Sequence, residues 1–376
     1  MLDSKTLGQL AASFIDNAIE MKAGEKLWLE WSGDAAEPLA RACIAHVESI
    51  GGIVHPEPRG SVYVNQILSE KPSAEDLKAL GQQNTDIMKT MDCYIRIGEV
   101  GDAELLDDHG DLLGEYQKLA MRDCIEERIN NTRWLVVRAP SDAFASMCNM
   151  SVEDFEKFYL DAYLFDHSKM VTPANNLKKI LEEGKDVHIK GKGTDLKFSI
   201  EGIGAKICVG KINLPDGEVF TAPVKGSVNG YVTYGPSVYD GARFEKIYLR
   251  YEAGKIIEAK STDDKSTAAL NKILDTDEGA RYPGEFAIAF NPQIHEPVGD
   301  ILFDEKIRGS YHIASGNCYD ITDNGNKSAV HWDMVQIQRP EYGGGTIEID
   351  GRIIRKDGQF VVPELLGLNP DKLLTP

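Results

Sequence analysis

The sequence predicts two domains of different fold class. We expect an α/β N-terminal domain with a mainly parallel sheet, and an α+β C-terminal domain with a largely antiparallel sheet. In the first half, short apolar runs alternate with longer segments of helical periodicity. In the second half, stretches of alternating polarity are joined by turns that contain glycine, as in β-hairpins. At 376 residues, the chain is long enough for each domain to bury its own core.

Strands and helices alternate in the first half. The predicted strands are residues 27–31, 52–58, 93–98 and 134–140. The predicted helices are residues 35–50, 74–91 and 113–130. The second of these helices has a clear start, because Ser73 can cap it and acidic residues follow in its first turn. No phosphate-binding glycine motif follows any of these strands, so a nucleotide site has no support.

The second half contains mostly predicted hairpins. They cover residues 186–202, 205–215, 246–260 and 345–360, and a single helix is predicted at 264–275. A charged helical segment ends just before the first hairpin. The domain boundary is therefore predicted between residues 183 and 184, which makes the domains residues 1–183 and 184–376.

Composition limits the kind of partner and the compartment. A net charge of −19 argues against a nucleic-acid partner, since phosphates would be repelled. No apolar run approaches the roughly 18–20 residues that cross a bilayer, so we expect no membrane partner. The N-terminal segment lacks the pattern of a secretory signal, and we expect a cytoplasmic protein. The six cysteines are scattered without a CxxC pair, which predicts reduced thiols.

The sequence His331-Trp332-Asp333 is the first candidate for chemistry. In a strand, residues two apart project from the same face, so this imidazole and this carboxylate would lie side by side. Zinc, cobalt, manganese and ferrous iron all accept such a pair of ligands. The pattern alone fits equally well a histidine–aspartate hydrogen bond on the surface of a sheet.

Three further segments carry ligand types in unusual places. Glu218 follows a Pro-Asp-Gly turn, Glu285 stands at the entrance of an apolar strand, and His312 begins another strand or turn. A carboxylate that enters an apolar run is costly to bury unless it is paired or bound to metal. For each acid taken singly, an exposed edge position or a helix cap remains an alternative.

Together these segments resemble the M29 family of aminopeptidases, also called the aminopeptidase T family. Between residues 190 and 338, the matching motifs follow the order found in the family. They are GKGTDL (191–196), NLPDGEVFTAP (213–223), PGEFAIAF (283–290), LFDEKIRGSYHIASG (302–316), Tyr319 and NKSAVHWDM (326–334). The first half matches in architecture only.

The resemblance implies a metallo-aminopeptidase that acts on short peptides. It implies two divalent ions per subunit (Zn, Co, Mn or Mg), and the family's ligand positions fall on Glu218, Glu285, His312, His331 and Asp333. Glu285 would bridge the two ions, and the catalytic residues would be Glu285 and Tyr319. The ligand set carries a charge of about −3, which suits two divalent cations. The resemblance also implies a homodimer that encloses its active sites in an internal cavity.

The chain departs from the family pattern in two places. Ser315 stands where the family has leucine, and the stretch from 320 to 330 is short for the family. Both departures concern substrate preference more than metal binding. Cys318 lies beside Tyr319, and we expect it to be a small core residue, because the nearby histidines are assigned to metal.

Two other hypotheses remain. A ring-cleaving dioxygenase with one iron would need only His312, His331 and Asp333, and such enzymes, which act on a dihydroxypyridine, look similar to this family. Glu218 and Glu285 would then be surplus, which argues against this hypothesis. A non-catalytic protein with a structural metal is the third hypothesis, but structural sites tend to use cysteine and histidine.

Overall fold

The computed structural model describes residues 2–239 and 241–375, apart from the side chain of Glu104. The chain forms two compact units. The first comprises Met1–Phe165 and Gly210–Leu214, and the second comprises Asp166–Val209 and Pro215–Pro376. The helix at 168–183 therefore groups with the second unit, and the predicted boundary between residues 183 and 184 stays a prediction.

The first unit is built on a parallel sheet flanked by helices, which confirms its predicted fold class. Its strands are β1 Lys26–Ser32, β2 Ile53–Pro58, β3 Cys93–Gly98 and β4 Arg133–Arg138. Its helices are α1 Ser4–Ala12, α2 Glu37–Ser49, α3 Ser61–Ser69, α4 Ala74–Met88, α5 Asp111–Tyr116, α6 Arg122–Asn131, α7 Asp142–Met147 and α8 Val152–Tyr163. The strand order is β2-β1-β3-β4, and every neighbouring pair is parallel.

Local signals explain most of these elements. The α4 helix begins with a capping box, in which Ser73 accepts from the Asp76 backbone and Asp76 accepts from the Ser73 backbone. The helix predicted at 113–130 is interrupted, because one π-helical turn at Gln117–Met121 separates α5 from α6. Helices α3, α7 and α8 were not predicted.

The second unit contains most of the strands and is largely antiparallel, as predicted. Its strands are β5 Asp186–Gly191, β6 Thr194–Ser199, β7 Lys206–Cys208, β8 Glu218–Thr221, β9 Asn229–Tyr234, β10 Ser237–Tyr239, β11 Ala242–Phe244, β12 Ile247–Glu252, β13 Lys255–Lys260, β14 Pro283–Ala289, β15 Ser310–Gly316, β16 His331–Ile337, β17 Gly345–Ile349, β18 Arg352–Lys356 and β19 Gln359–Phe360. Its helices are α9 Ser168–Glu183, α10 Asp264–Leu274, α11 Ile301–Asp304 and α12 Pro370–Leu373.

Two large sheets organise this unit. One has eight strands in the order β13-β12-β9-β6-β5-β17-β18-β19, and the other has five in the order β16-β15-β14-β8-β7. Phe198 of the larger sheet meets Phe286 of the smaller one edge to face, with ring centroids 5.0 Å apart. One face of the five-stranded sheet is thus in contact with the other sheet. The opposite face carries the candidate site.

The hairpin predicted at 205–215 is wrong in its second half. β7 ends at Cys208, and Asn213 instead forms a parallel bridge with Val136 of β4. The reason lies in the backbone hydrogen bonds: Val136 donates to the Ile212 carbonyl, and Leu214 donates to the Val136 carbonyl. These residues therefore belong to the first unit.

The cysteines of this chain are reduced, as the sequence predicts. All six cysteines lie within the described ranges, and they are free thiols. Cys318, expected to be a core residue, is buried, and its thiol contacts the Asn326 carbonyl at 3.1 Å.

Within residues 2–239 and 241–375, no helix has the length and the apolar character required to cross a membrane.

Candidate metal centre

The five-stranded sheet places the candidate carboxylates on one face. Residues directly paired across antiparallel strands share a face, and so do residues two apart in one strand. Glu285 pairs with Ala314, and Ala314 pairs with Asp333 on the next strand. On the other side of β14, Ala289 pairs with Glu218. All three carboxylates therefore project from the same side of the sheet.

The two candidate histidines project from this same side. His312 pairs with Ala287, which lies two residues from Glu285. His331 pairs with Gly316, four residues along β15 from His312. Ser315, the departure from the family pattern, pairs with Trp332 and therefore lies on the opposite face.

Small residues make room between the ligand candidates. Ala287, Ala314 and Gly316 share their face, and Ala314 separates Glu285 from Asp333. At Gly316, φ is +107° and an added Cβ would lie 2.0 Å from the Val330 carbonyl oxygen, so only glycine fits there.

The first candidate group consists of Glu218, Glu285 and His312. The Nε2 atom of His312 lies 3.0 Å from Oε1 of Glu285 and 3.9 Å from Oε2 of Glu218. All three side chains are buried, with exposures of 4%, 4% and 1%, respectively. The structure thus brings together two acids and an imidazole that are far apart in the sequence.

The second candidate group consists of Glu285, His331 and Asp333. The Nε2 atom of His331 lies 3.8 Å from Oε2 of Glu285 and 3.5 Å from Oδ1 of Asp333. The same Asp333 oxygen is 3.7 Å from Nε2 of His312. Glu285 is common to both groups and directs one oxygen to each imidazole.

The donor atoms of these groups fit a divalent cation. Oε2 of Glu218 and Oδ1 of Asp333 are buried and have no hydrogen-bond partner among the described residues. A buried carboxylate oxygen without a partner is costly, whereas a bound cation would satisfy it. Nδ1 of His331 contacts the Asn317 carbonyl at 2.8 Å, which turns its Nε2 atom toward the carboxylates.

The sequence analysis assigned no role to Lys306, although it lies within segment 302–316, one of the motifs that resemble the M29 family. Its side chain is 2% exposed, and its ammonium contacts Oε1 of Glu218 and lies 2.8 Å from Oε1 of Glu305. A signal was present in the sequence, because the short apolar run Ile301–Phe303 is followed by two acids and then by Lys306. Sequence alone could not show which carboxylate it would meet.

Tyr319 lies on the loop that joins β15 to β16. Asn326 anchors this loop, since its side-chain amide donates to the Gly316 carbonyl at 2.6 Å and to the Gly279 carbonyl at 2.9 Å. The Tyr319 ring is 5.1 Å from the His331 ring, and the residue is 41% exposed. Tyr319 thus lies beside the candidate metal groups, and the residue is partly open to solvent.

Charge and burial alter the proton affinities of the side chains in this site. Burial by itself would lower the pKa of His312, but the hydrogen bond to Glu285 and the charge of Glu218 outweigh it and raise this pKa to about 10. The pKa of His331 is also raised, since Asp333 and Glu285 outweigh burial. Burial raises the pKa of Glu218, against the opposing charge of Lys306.

We predict that metal binding releases protons. The raised pKa of His312 keeps its imidazole protonated at pH 7, and a ligating imidazole must be neutral. About one to two protons should leave when the site fills, and metal affinity should therefore rise with pH. Calorimetric titration in buffers of different ionisation enthalpy measures this number. Heats that are identical in all buffers would contradict the prediction.

Although the Tyr319 residue is 41% exposed, protein atoms surround its hydroxyl group, and this desolvation, together with the charges of Glu285 and Asp333, holds the pKa of the phenol well above its usual value. The phenol therefore keeps its proton and remains a hydrogen-bond donor. Three carboxylates, two imidazoles and a neighbouring phenol on one face of a sheet are typical of a metal-dependent hydrolase, since structural metal sites are richer in cysteine. The fold and the site thus point to the class of metal-dependent hydrolases.

The chain belongs to the thermophilic metalloprotease (M29) family, whose sequence model matches residues 3–360. A family of this kind implies a divalent metal and peptide-bond hydrolysis. Aminopeptidase T from Thermus thermophilus is 34% identical over 193 residues, which are 44% of this chain and 44% of that protein. Aminopeptidase AmpS from Bacillus subtilis is 30% identical over 164 residues, 40% of this chain and 39% of that protein. The matched segments thus span less than half the length of these relatives.

Two solved structures share the fold over nearly the whole chain. Wild-type AmpT from Thermus thermophilus aligns with a TM-score of 0.77 at 23% identity and covers 95% of this chain and 99% of its own. A 2,5-dihydroxypyridine dioxygenase from Pseudomonas putida aligns with a TM-score of 0.61 at 12% identity and covers 97% of this chain and 100% of its own. At these identities, both likenesses concern the fold alone.

Proposed function

We propose that this chain is an aminopeptidase that removes N-terminal residues from short peptides with a dinuclear metal site. The two divalent ions (Zn, Co, Mn or Mg) would be held by Glu218, Glu285, His312, His331 and Asp333. One observation carries the dinuclear proposal. Glu285 places Oε1 3.0 Å from Nε2 of His312 and Oε2 3.8 Å from Nε2 of His331. A single carboxylate that belongs to both groups is suited to bridge two cations.

The chemistry divides between the metals and the side chains. Two divalent cations, when bound by these residues, would supply Lewis-acid polarisation of the scissile carbonyl and a water nucleophile of lowered pKa. Tyr319 donates a hydrogen bond to the carbonyl oxygen, and this bond strengthens as negative charge develops there. Asn317 holds the ring of His331 in position through its carbonyl. Glu285 is common to both ligand groups and fixes their positions relative to each other.

Hydrolysis of a panel of aminoacyl p-nitroanilides tests this function. We expect cleavage of substrates with a free α-amine, none of the same substrates after N-acetylation, and loss of activity with a chelator. Activity should return when a single divalent metal salt is added back. Cleavage that is unaffected by exhaustive chelation would reject a metal-dependent peptidase.

The dioxygenase hypothesis is tested with the same preparation. The fold likeness to the Pseudomonas enzyme keeps it in consideration. However, Glu218 and Glu285 lie within the cluster, and a single iron held by two histidines and one carboxylate would not need them. Oxygen uptake with 2,5-dihydroxypyridine and iron, together with no release of p-nitroaniline, would favour the dioxygenase.

We also propose that the chain works in the cytoplasm as a homodimer. The M29 resemblance supports this, because its sites would be enclosed between subunits and would admit only short or unfolded peptides. Light scattering at micromolar concentration should give twice the chain mass of 41.5 kDa. A monomer would reject the enclosed cavity and leave the metal site unaffected.

A further inference from the structure

A buried lysine lies beside only one of the two candidate metal groups. The ammonium of Lys306 contacts Oε1 of Glu218, which belongs to the group with Glu285 and His312. Oε2 of the same Glu218 is the oxygen that lies 3.9 Å from Nε2 of His312 and has no described hydrogen-bond partner. A cation and the lysine would therefore share one carboxylate, each bound to a different oxygen.

The backbone fixes the position of Lys306. Its amide donates to the Phe303 carbonyl at 2.9 Å, and its carbonyl accepts from Asn291 at 3.1 Å. The preceding helix α11 is anchored in turn, since Asp304 accepts from the backbone of Val298 at 2.7 Å and from Gly299 at 3.0 Å. Lys306 is only 2% exposed, so its ammonium is held among protein groups and not in solvent.

The charges of the two groups consequently differ. A lysine side chain is ordinarily cationic at neutral pH, so the charge of Glu218 is already balanced before any metal binds. The other partner of Lys306 is Glu305, whose Oε1 lies 2.8 Å from the ammonium and which belongs to neither candidate metal group. In the second group, Glu285 and Asp333 face His331, and Lys306 forms no ion pair with either acid within the described residues.

We propose that the two metal positions of this chain differ in affinity, because the ammonium of Lys306 shares the Glu218 carboxylate with one of them. The group of Glu285, His331 and Asp333 binds its cation first and tightly. The group of Glu218, Glu285 and His312 binds second and weakly, since the incoming cation meets a fixed positive charge at a shared carboxylate. This inference rests on the proposed dinuclear function and assigns the order of filling within it.

Titration of the metal-free protein with Co²⁺ tests the proposal. Calorimetry, together with metal analysis after equilibrium dialysis, should give two binding steps whose Kd values differ by tenfold or more. The substitution Lys306→Gln removes the charge but keeps a hydrogen-bond donor for Glu218. We expect it to tighten the second step about tenfold, because one positive charge fewer faces the incoming cation, and to leave the first step nearly unchanged.

Glu305→Gln is the matched control, because it changes the other partner of Lys306 and retains the ammonium. Its second step should stay weak. Two equal steps in the unmodified protein would overturn the inference while leaving a dinuclear enzyme intact, and this result does not depend on how any variant folds. A Lys306→Gln variant with an unchanged or weaker second step would overturn it as well. Failure of the unmodified protein to bind Co²⁺ at all would reject the proposed function together with the inference.

Discussion

The substitution Glu285→Gln is expected to abolish peptide hydrolysis and to lower the bound metal below two ions per chain. Glu285 is the residue common to both ligand groups, and it contacts both imidazoles. An amide offers one neutral oxygen in place of two charged ones, so it cannot bridge two cations. Metal-ion catalysis contributes several kcal/mol, which corresponds to a loss of about 10³-fold or more in kcat. Steady-state assays and metal analysis of the same preparation measure both effects.

Glu252→Gln provides the matched control for this experiment. Glu252 is an exposed residue at the end of β12 in the same unit. Its substitution makes the same chemical change outside the ligand groups. We expect its activity and metal content to equal those of the unmodified chain. A Glu285→Gln variant that is folded, fully active and fully metallated would remove the basis for both the ligand assignment and the bridging role.

Tyr319→Phe is expected to lower kcat by about 10²–10³-fold, as removal of one oxyanion donor does in other hydrolases. The ring would keep its packing against Phe220 at 5.7 Å and His331 at 5.1 Å, so the substitution removes little beyond the hydroxyl group. Because the hydrogen bond strengthens only as negative charge develops, KM should change much less than kcat. Metal content should stay the same.

Tyr231→Phe is a suitable comparison, since Tyr231 has the same 41% exposure and lies on β9. Loss of its hydroxyl group should leave both kinetic constants unchanged. If Tyr319→Phe raised KM with kcat preserved, the phenol would be a substrate-binding group instead of a stabiliser of the transition state. If it lowered metal content, its role would be in the assembly of the site.

Much of the candidate site follows from local patterns. The spacing of His331 and Asp333 predicted a shared face in a strand, and β16 shows that arrangement. Glu285 and Ala287 alternate in the same way along β14. These relations depend only on the period of two in an extended backbone, which every strand shares. They could therefore be predicted without knowledge of the neighbouring strands.

Other features depended on distant contacts and were not predicted. Lys306 lies in the same motif as His312, and its ion pair with Glu218 joins residues that are far apart in the sequence. The segment after Cys208 has the alternation of a strand, but Asn213 pairs with Val136 instead of continuing a hairpin. In both cases, the partner that decides the structure is absent from the local sequence.

The sequence by itself determined the fold class of each half and the residue types available for chemistry. Strand periodicity, turn residues and helix caps are encoded within a few neighbouring positions, so they can be recognised in isolation. Only the tertiary structure decided that β8, β14, β15 and β16 lie side by side in a register that turns their polar residues to one face. A shift of one residue between any two of these strands would point a ligand candidate to the opposite face, and register is set by the packing of the whole sheet.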